Sequence, residues 1–270
     1  MRPLKMITGR HAVRVAVCAL ACLFAFTTVL GAGCENGTTA STSLAPSGGK
    51  GSRAVTFTTE DGVTLEGHLS GSGTAGVVLA HMYPADQTSW FTTAERLAQA
   101  GYLVLTFDFR GYGESEGGKD IDQLDKDISA AVGAIESAGA TEAVLVGASM
   151  GGTACLIAAA NNNLRRAVSS QFPAPGIRIT GVVTLSAPVE FRGLSAEDAV
   201  PGLQIPLRFI AAEDDTAGAG QLQELSAGKG DLHIVPGDDH GTELLEGDAA
   251  DQVWDLLAGF LDEHLSPTKQ

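Results

Sequence analysis

Cysteine is scarce in this chain: four residues in 270, at positions 18, 22, 34 and 155. Cys18 and Cys22 fall in an apolar leader and Cys34 at its end, so a folded domain keeps only Cys155. That excludes a disulfide framework, and a core must hold the fold together by burial. Cys155 stands in an apolar, helix-forming run and reads as a small buried hydrophobe rather than a reactive thiol. Positive charge is scarce as well. Lys and Arg number 17 against 32 Asp and Glu, a net charge of −15. All the acids follow position 33 and four of the cations precede it, so without the leader 13 cations face 32 acids, a net charge of −19. Such a balance argues against nucleic acid as a partner and against electrostatic adhesion to anionic lipid. Internal repeats are absent too.

What is present begins with the leader. Arg2, Lys5, Arg10 and Arg14 make a basic start, residues 15–30 are almost unbroken apolar sequence, and Gly31-Ala32-Gly33 precedes Cys34. This is the three-part layout of a secretory signal peptide over residues 1–33. The alternative, an uncleaved anchor, asks for roughly 20 apolar residues, and the run is shorter. Leu30-Gly31-Ala32-Gly33-Cys34 resembles a bacterial lipobox, with Gly31 where leucine is usual. The resemblance implies lipidation of Cys34 and an extracytoplasmic protein that meets the membrane only through this N-terminal anchor. Residues 34–52, rich in Gly, Ser and Thr, read as a flexible tether. Residues 53–270 suit one domain.

Within that domain, residues 54–59 and 63–69 alternate around Glu60-Asp61-Gly62, the pattern of a hairpin. Apolar strands are expected at 76–80, 102–107, around 143–146, at 181–185, 207–212 and 231–235. Helices are expected at 88–100, 121–138, 153–160, 220–227 and 249–264. An antiparallel opening followed by alternating strand and helix predicts an α/β fold: eight strands, mostly parallel, with helices on both faces. The polar stretch 161–178, with Pro173 and Pro175, reads as a loop or insertion. Residues 187–206 leave room for a short helix at most.

The chemistry concentrates at the carboxyl ends of these strands. Gly147-Ala148-Ser149-Met150-Gly151 follows an apolar strand and opens a helix. A serine hydroxyl is a poor nucleophile until a sharp turn holds it beside a base and an anion-stabilising pocket, and side chains at Gly147 or Gly151 would crowd that turn. Chain order on such a sheet is serine, acid, histidine. His240 follows the last strand and is the expected base. His68 lies in the hairpin, His233 inside a strand, His264 near the terminus, and His11 in the leader. Asp215 is the expected acid, with Asp214 and Glu213 one and two residues away as competitors. Asp238 and Asp239 lie too close to His240 and read as turn residues. The backbone N–H of Met150 and of Tyr83, on the loop after the third strand, are the expected oxyanion donors. His81 reads as fixing that loop, and Arg110 as bracing a turn.

Together these residues resemble the α/β-hydrolase superfamily over about residues 54–265. His81-Met82-Tyr83-Pro84 is similar to the His-Gly-x-Pro loop, with Met82 in place of glycine. Asp108-Phe109-Arg110-Gly111-Tyr112-Gly113-Glu114-Ser115 is similar to the Asp-x-Arg-Gly-x-Gly-x-Ser loop. The elbow, Asp215 and His240 complete the set in order. Dienelactone-hydrolase-like and serine-aminopeptidase-like members are the most similar. The resemblance implies a serine hydrolase with a minimal cap at residues 187–206 that needs no metal or cofactor, acts on an ester, thioester, lactone or amide, and passes through an acyl-enzyme on Ser149. A serine at the elbow disfavours epoxide hydrolase and dehalogenase chemistry, which in this superfamily uses aspartate there. The carboxylesterase reading is preferred to a peptidase, amidase or acyltransferase on the same triad, and to a non-catalytic binding protein. A metal site among Glu213, Asp214, Asp215, Asp238, Asp239 and His240 is the remote alternative.

Overall fold

The opening hairpin pairs β1 (Arg53–Thr58) with β2 (Thr64–Ser70) antiparallel. Its turn is held by the Thr59 hydroxyl donating to Asp61 at 2.6 Å and the Val63 amide donating to Thr59 Oγ1 at 2.9 Å. The structure, a computed structural model, describes residues 51–167 and 176–267, all within one compact unit of the chain. The expected leader, Cys34 and the tether through residue 50 lie outside them.

Six further strands complete the main sheet: β3 (Ala75–Ala80), β4 (Leu103–Phe107), β5 (Glu142–Ala148), β6 (Arg178–Leu185), β9 (Leu207–Ala212) and β10 (Gly230–Val235). Two short strands, β7 (Glu190–Phe191) and β8 (Leu194–Ser195), form a separate hairpin. The main sheet has eight strands in the order β1-β2-β4-β3-β5-β6-β9-β10. Antiparallel pairing is confined to β1 with β2 and β2 with β4; the rest are parallel. β3 is buried throughout because its two faces meet different helix layers, which is why it reads as a continuous apolar run.

Helices α2 (Leu124–Ser137), α3 (Met150–Ala167) and α4 (Ala217–Leu225) cover one face, and α1 (Phe91–Gln99) and α5 (Ala250–His264) the other. Val78, Leu105 and Leu145 point to the first layer; Val77, Val104 and Val144 point to the second. Period-two alternation thus gives each strand two cores. Cys155 is fully buried between α3 and the sheet, and burial pushes its thiol pKa up.

The helix–loop boundary expected near residue 160 lies elsewhere. α3 runs on through the polar residues to Ala167, because they find partners on neighbouring elements: the Asn161 amide donates to Asp125 at 3.1 Å, and Arg165 to Glu60 at 3.3 Å. Of the rest of that expected loop, residues 168–175 lie outside the described residues, and its last residue, Arg178, is already the first of β6. Between β6 and β9 the chain forms the β7–β8 hairpin and a single 3-10 turn, Val200–Gly202, rather than a short α-helix. α4 begins at Ala217, straight after the acidic turn, three residues ahead of its sequence-based start.

The chain turns back on either side of β3, to β4 on one flank and β5 on the other. Ligands of open α/β sheets sit at such a switch point, beyond the carboxyl ends of the strands.

Candidate active site

β5 ends in the elbow and α3 starts at Met150. Ser149 takes the left-handed conformation with φ 47°, a strained state for a residue with a Cβ, costing about 1–2 kcal/mol. Neighbouring backbone over-determines it. The Ser149 amide donates to the Leu185 carbonyl of β6 at 2.7 Å, and the Gly152 amide to the Ser149 carbonyl at 2.9 Å. The glycines are required by close approach. A Cβ at Gly147 would lie 2.4 Å from the Gly151 carbonyl oxygen, and one at Gly151 would lie 2.5 Å from that of Ala80. The elbow is therefore wedged against the end of β3, where the Tyr83 loop begins.

That loop is anchored by His81, fully buried. Its Nε2 accepts from the Phe109 amide at 3.1 Å and its Nδ1 donates to the Met82 carbonyl at 2.9 Å, which fixes a neutral tautomer. Burial pushes its pKa down. His81 thus ties the loop after β3 to the loop after β4 and has no lone pair left for catalysis. The Met150 and Tyr83 amides donate to no acceptor among the described residues. Met150 is the first residue of α3, where a helix leaves its N–H groups unpaired.

The loop after β4 is held by its own side chains. Asp108 accepts from the Gln87 amide at 2.8 Å and the Gln87 side chain at 2.9 Å, while the Ser115 hydroxyl donates to the Asp108 carbonyl at 2.6 Å. Arg110 is buried and donates through Nε to Asp127 at 2.8 Å, and through Nη1 and Nη2 to Asp61 at 2.9 and 3.1 Å. It braces the turn, as expected. Asp127, its fully buried partner, went unremarked in the sequence. Its signal was there: a carboxylate at helical spacing with the apolar residues Leu124, Ile128 and Ala131.

On the other side of the elbow, Asp215 ends a 3-10 turn directly after β9, and His240 precedes another, Gly241–Leu245, after β10. The His240 Nδ1 hydrogen points at Asp215 Oδ2 across 2.6 Å. With that proton on Nδ1, Nε2 is left as the basic nitrogen, and the ring is 43 % exposed. Asp214 and Glu213 are exposed and make no hydrogen bond to the imidazole, and Asp214 offers only its amide, to the Gly237 carbonyl at 3.3 Å. Asp239 packs against Gly247 instead of the imidazole. Among the described residues no three His, Cys, Asp or Glu side chains gather in a metal-holding group.

The histidine loop abuts the elbow and the Tyr83 loop. A Cβ at Gly241 would lie 3.4 Å from the Ala148 Cβ and 2.5 Å from the Met82 sulfur, and the Thr242 hydroxyl reaches that sulfur at 3.9 Å. Met82 therefore fills the corner between the two loops, a packing role that the motif comparison, expecting glycine, did not suggest. The β7–β8 hairpin was also missed. Its Phe191 ring centroid lies 5.7 Å from that of Tyr83, and the Arg192 guanidinium sits 4.3 Å over the Tyr83 ring. Such contacts join segments more than a hundred residues apart and leave no local pattern.

Comparison with known proteins agrees with this geometry. The family model for the alpha/beta hydrolase fold matches residues 77–222. A bifunctional epoxide hydrolase 2 of Sus scrofa is 37 % identical over 93 residues, which are 34 % of this chain but 17 % of that protein. The quorum-quenching protein AidA of Acinetobacter baumannii is 35 % identical over 105 residues, 36 % of this chain and 34 % of that protein. These curated relatives are thus matched over about a third of their length or less. An esterase of Pyrococcus furiosus superposes with a TM-score of 0.64 at 20 % identity, covering 80 % of this chain and 91 % of that one, a likeness of fold. With more than half of the chain matched by the family model and the elbow at its centre, this chain belongs to the α/β-hydrolase fold family.

Proposed function

We propose that the chain is a serine hydrolase, a carboxylesterase acting on small esters or thioesters. The observation that carries this reading is the 2.6 Å contact of Asp215 with His240 on a loop packed against the Ser149 elbow. Ser149 Oγ attacks the substrate carbonyl carbon and its proton passes to His240 Nε2. The resulting oxyanion takes hydrogen bonds from the Met150 and Tyr83 amides, which have no other acceptor in the described protein. Collapse breaks the bond to the leaving alcohol or thiol, which takes the proton from His240. Water then gives a proton to His240 Nε2 as it attacks the acyl carbon, and His240 returns that proton to Ser149 Oγ as the acid leaves. Asp215 keeps the imidazole oriented and stabilises its charged form.

The epoxide hydrolase names among the relatives favour no second reading, for a chemical reason. Attack of a serine hydroxyl on an epoxide gives an ether, which water does not release, whereas attack on an ester gives an acyl-enzyme that turns over. The short insert between β6 and β9 leaves the site open and supports a small substrate. Extracytoplasmic placement through a lipidated Cys34 is part of the same proposal. It rests on Arg2 to Cys34 alone and is tested by palmitate incorporation into wild type and Cys34→Ala. For the chemistry, a fluorophosphonate probe should label the wild type, and neither folded Ser149→Ala nor folded His240→Ala. A folded wild type that takes no label would end this reading and leave a binding protein on the same fold.

A further inference from the structure

Two cations flank the rim of the candidate site in a chain that otherwise carries an excess of acid. Arg192 lies 4.3 Å over the Tyr83 ring, and Lys119 Nζ lies 4.1 Å over the Tyr112 ring. The two tyrosines touch edge to face, with centroids 6.5 Å apart, and both border the reaction centre. Tyr83 is the expected oxyanion donor, and the Tyr112 hydroxyl reaches the sulfur of Met150, next to Ser149, at 4.0 Å. Burial raises the Tyr112 pKa and Arg192 opposes it, so the guanidinium is felt at this ring.

Neither cation has an acidic partner among the described residues, although Arg110, Lys126, Arg165, Arg178 and Arg208 all do. Both are exposed. Glu190, on the same hairpin as Arg192, is occupied in accepting the Gly193 amide at 2.6 Å. The backbone beneath Arg192 is also informative. Phe191 pairs with Leu194, leaving Arg192 and Gly193 as a two-residue turn with φ 50° and 94°. Positive φ at both positions favours Asn, Asp or Gly, and an arginine at the first is held at a cost. That turn carries a guanidinium directly over Tyr83.

We propose that Arg192, with Lys119, recognises a carboxylate on the substrate, so that this site takes short esters bearing a free anionic end, such as monoesters of small dicarboxylic acids. A guanidinium stacked on an aromatic ring keeps its N–H edge free for a carboxylate. The inference rests on Ser149 acting as the acyl-transfer nucleophile, and its test separates the two.

The full chain is assayed with 4-nitrophenyl butyrate and with mono-4-nitrophenyl glutarate. Wild type is expected to favour the glutarate in kcat/KM by about tenfold at low salt, with the ratio shrinking in 0.5 M KCl as the charges are screened. Arg192→Met should abolish most of this ratio, Lys119→Met part of it, and Arg192→Lys should retain some. Equal kcat/KM for the two esters in wild type, or an unchanged ratio in folded Arg192→Met, would overturn the proposal. A neutral fluorophosphonate reports on Ser149 independently of the rim. Should it fail to label, the hydrolase reading falls, and calorimetric titration with monomethyl glutarate decides the anion site. Binding weakened about tenfold in Arg192→Met supports it, and equal or absent binding ends it.

Discussion

His81 and Phe109 are joined across two strand ends: the buried imidazole Nε2 accepts the Phe109 amide at 3.1 Å, while Nδ1 holds the Met82 carbonyl. Through this link the loop bearing the Tyr83 amide is set by the loop after β4. Replacing His81 with Phe would leave the buried Phe109 N–H unpaired, at about 1–3 kcal/mol, and remove the partner of the partly buried Met82 C=O. We expect a lower urea midpoint and a fall of about tenfold or more in kcat/KM, since a displaced oxyanion donor weakens transition-state binding. The pH dependence of kcat/KM in His81→Phe should keep its apparent pKa. Burial holds His81 neutral, so it does not supply the titration. A shifted acid limb would assign His81 a catalytic proton.

Asp215 alone of the acidic turn reaches the imidazole. Asp215→Asn should lower kcat by about a thousandfold or more, because the wrong tautomer and an unsupported imidazolium both slow the proton transfer. Asp214→Asn should stay within about twofold, its carboxylate being an exposed surface group. Steady-state kinetics on one activated ester distinguishes them. Equal losses would mean that the turn rearranges to present either acid.

Arg110 lies between Asp127, fully buried, and Asp61, partly exposed. Arg110→Met would strand the Asp127 carboxylate, and about 3–5 kcal/mol of stability should go with it. The double variant Arg110→Met/Asp127→Leu should recover much of that loss, because the orphaned charge is gone. Urea unfolding of the three proteins measures the coupling. Additive losses would show that the pair is not energetically linked.

The same guanidinium gives a pH dependence at Asp61. Its hydrogen bonds hold the Asp61 carboxyl well below the usual carboxylate range, with help from Thr59. A folded pKa below the unfolded value of about 3.9 means that the contribution is complete above that value. It is lost as pH falls below about 4 towards the folded pKa. The urea midpoint of wild type should therefore drop more steeply than that of Asp61→Asn between about pH 5 and pH 3. Parallel curves would remove Asp61 from the acid response.

Glycines offer a contrast of sign. A Cβ at Gly147 meets the Gly151 backbone at 2.4 Å, whereas one at Gly133, exposed in the middle of α2, meets nothing within 4 Å. Gly147→Ala should disrupt the elbow and abolish fluorophosphonate labelling. Gly133→Ala should stabilise the protein by up to about 1 kcal/mol with labelling intact, because alanine loses less backbone entropy in a helix. Thermal unfolding with labelling on the same samples reads both. Unchanged labelling of Gly147→Ala would show that the elbow backbone can yield.

The strand and helix periods, the strand-end positions of Ser149, Asp215 and His240, and the order of the loops were all determined by the sequence itself. These are local properties. A buried strand must be continuously apolar, a helix facing a sheet must repeat at 3.6 residues, and a sharp turn against neighbouring backbone admits only glycine. Where the outcome depended on contacts between distant segments, only the tertiary structure decided it. The polar end of α3 is helical because Asp125 and Glu60 meet it. Asp215 rather than Asp214 faces His240 because the 3-10 turn after β9 sets the side-chain direction. Met82 suits a glycine position because Gly241, 159 residues further on, makes room for its sulfur. The Arg192–Tyr83 stack joins a two-residue hairpin to the loop after β3. Such pairings belong to no period and no motif, since the physical interaction that selects them exists only once the chain has closed on itself.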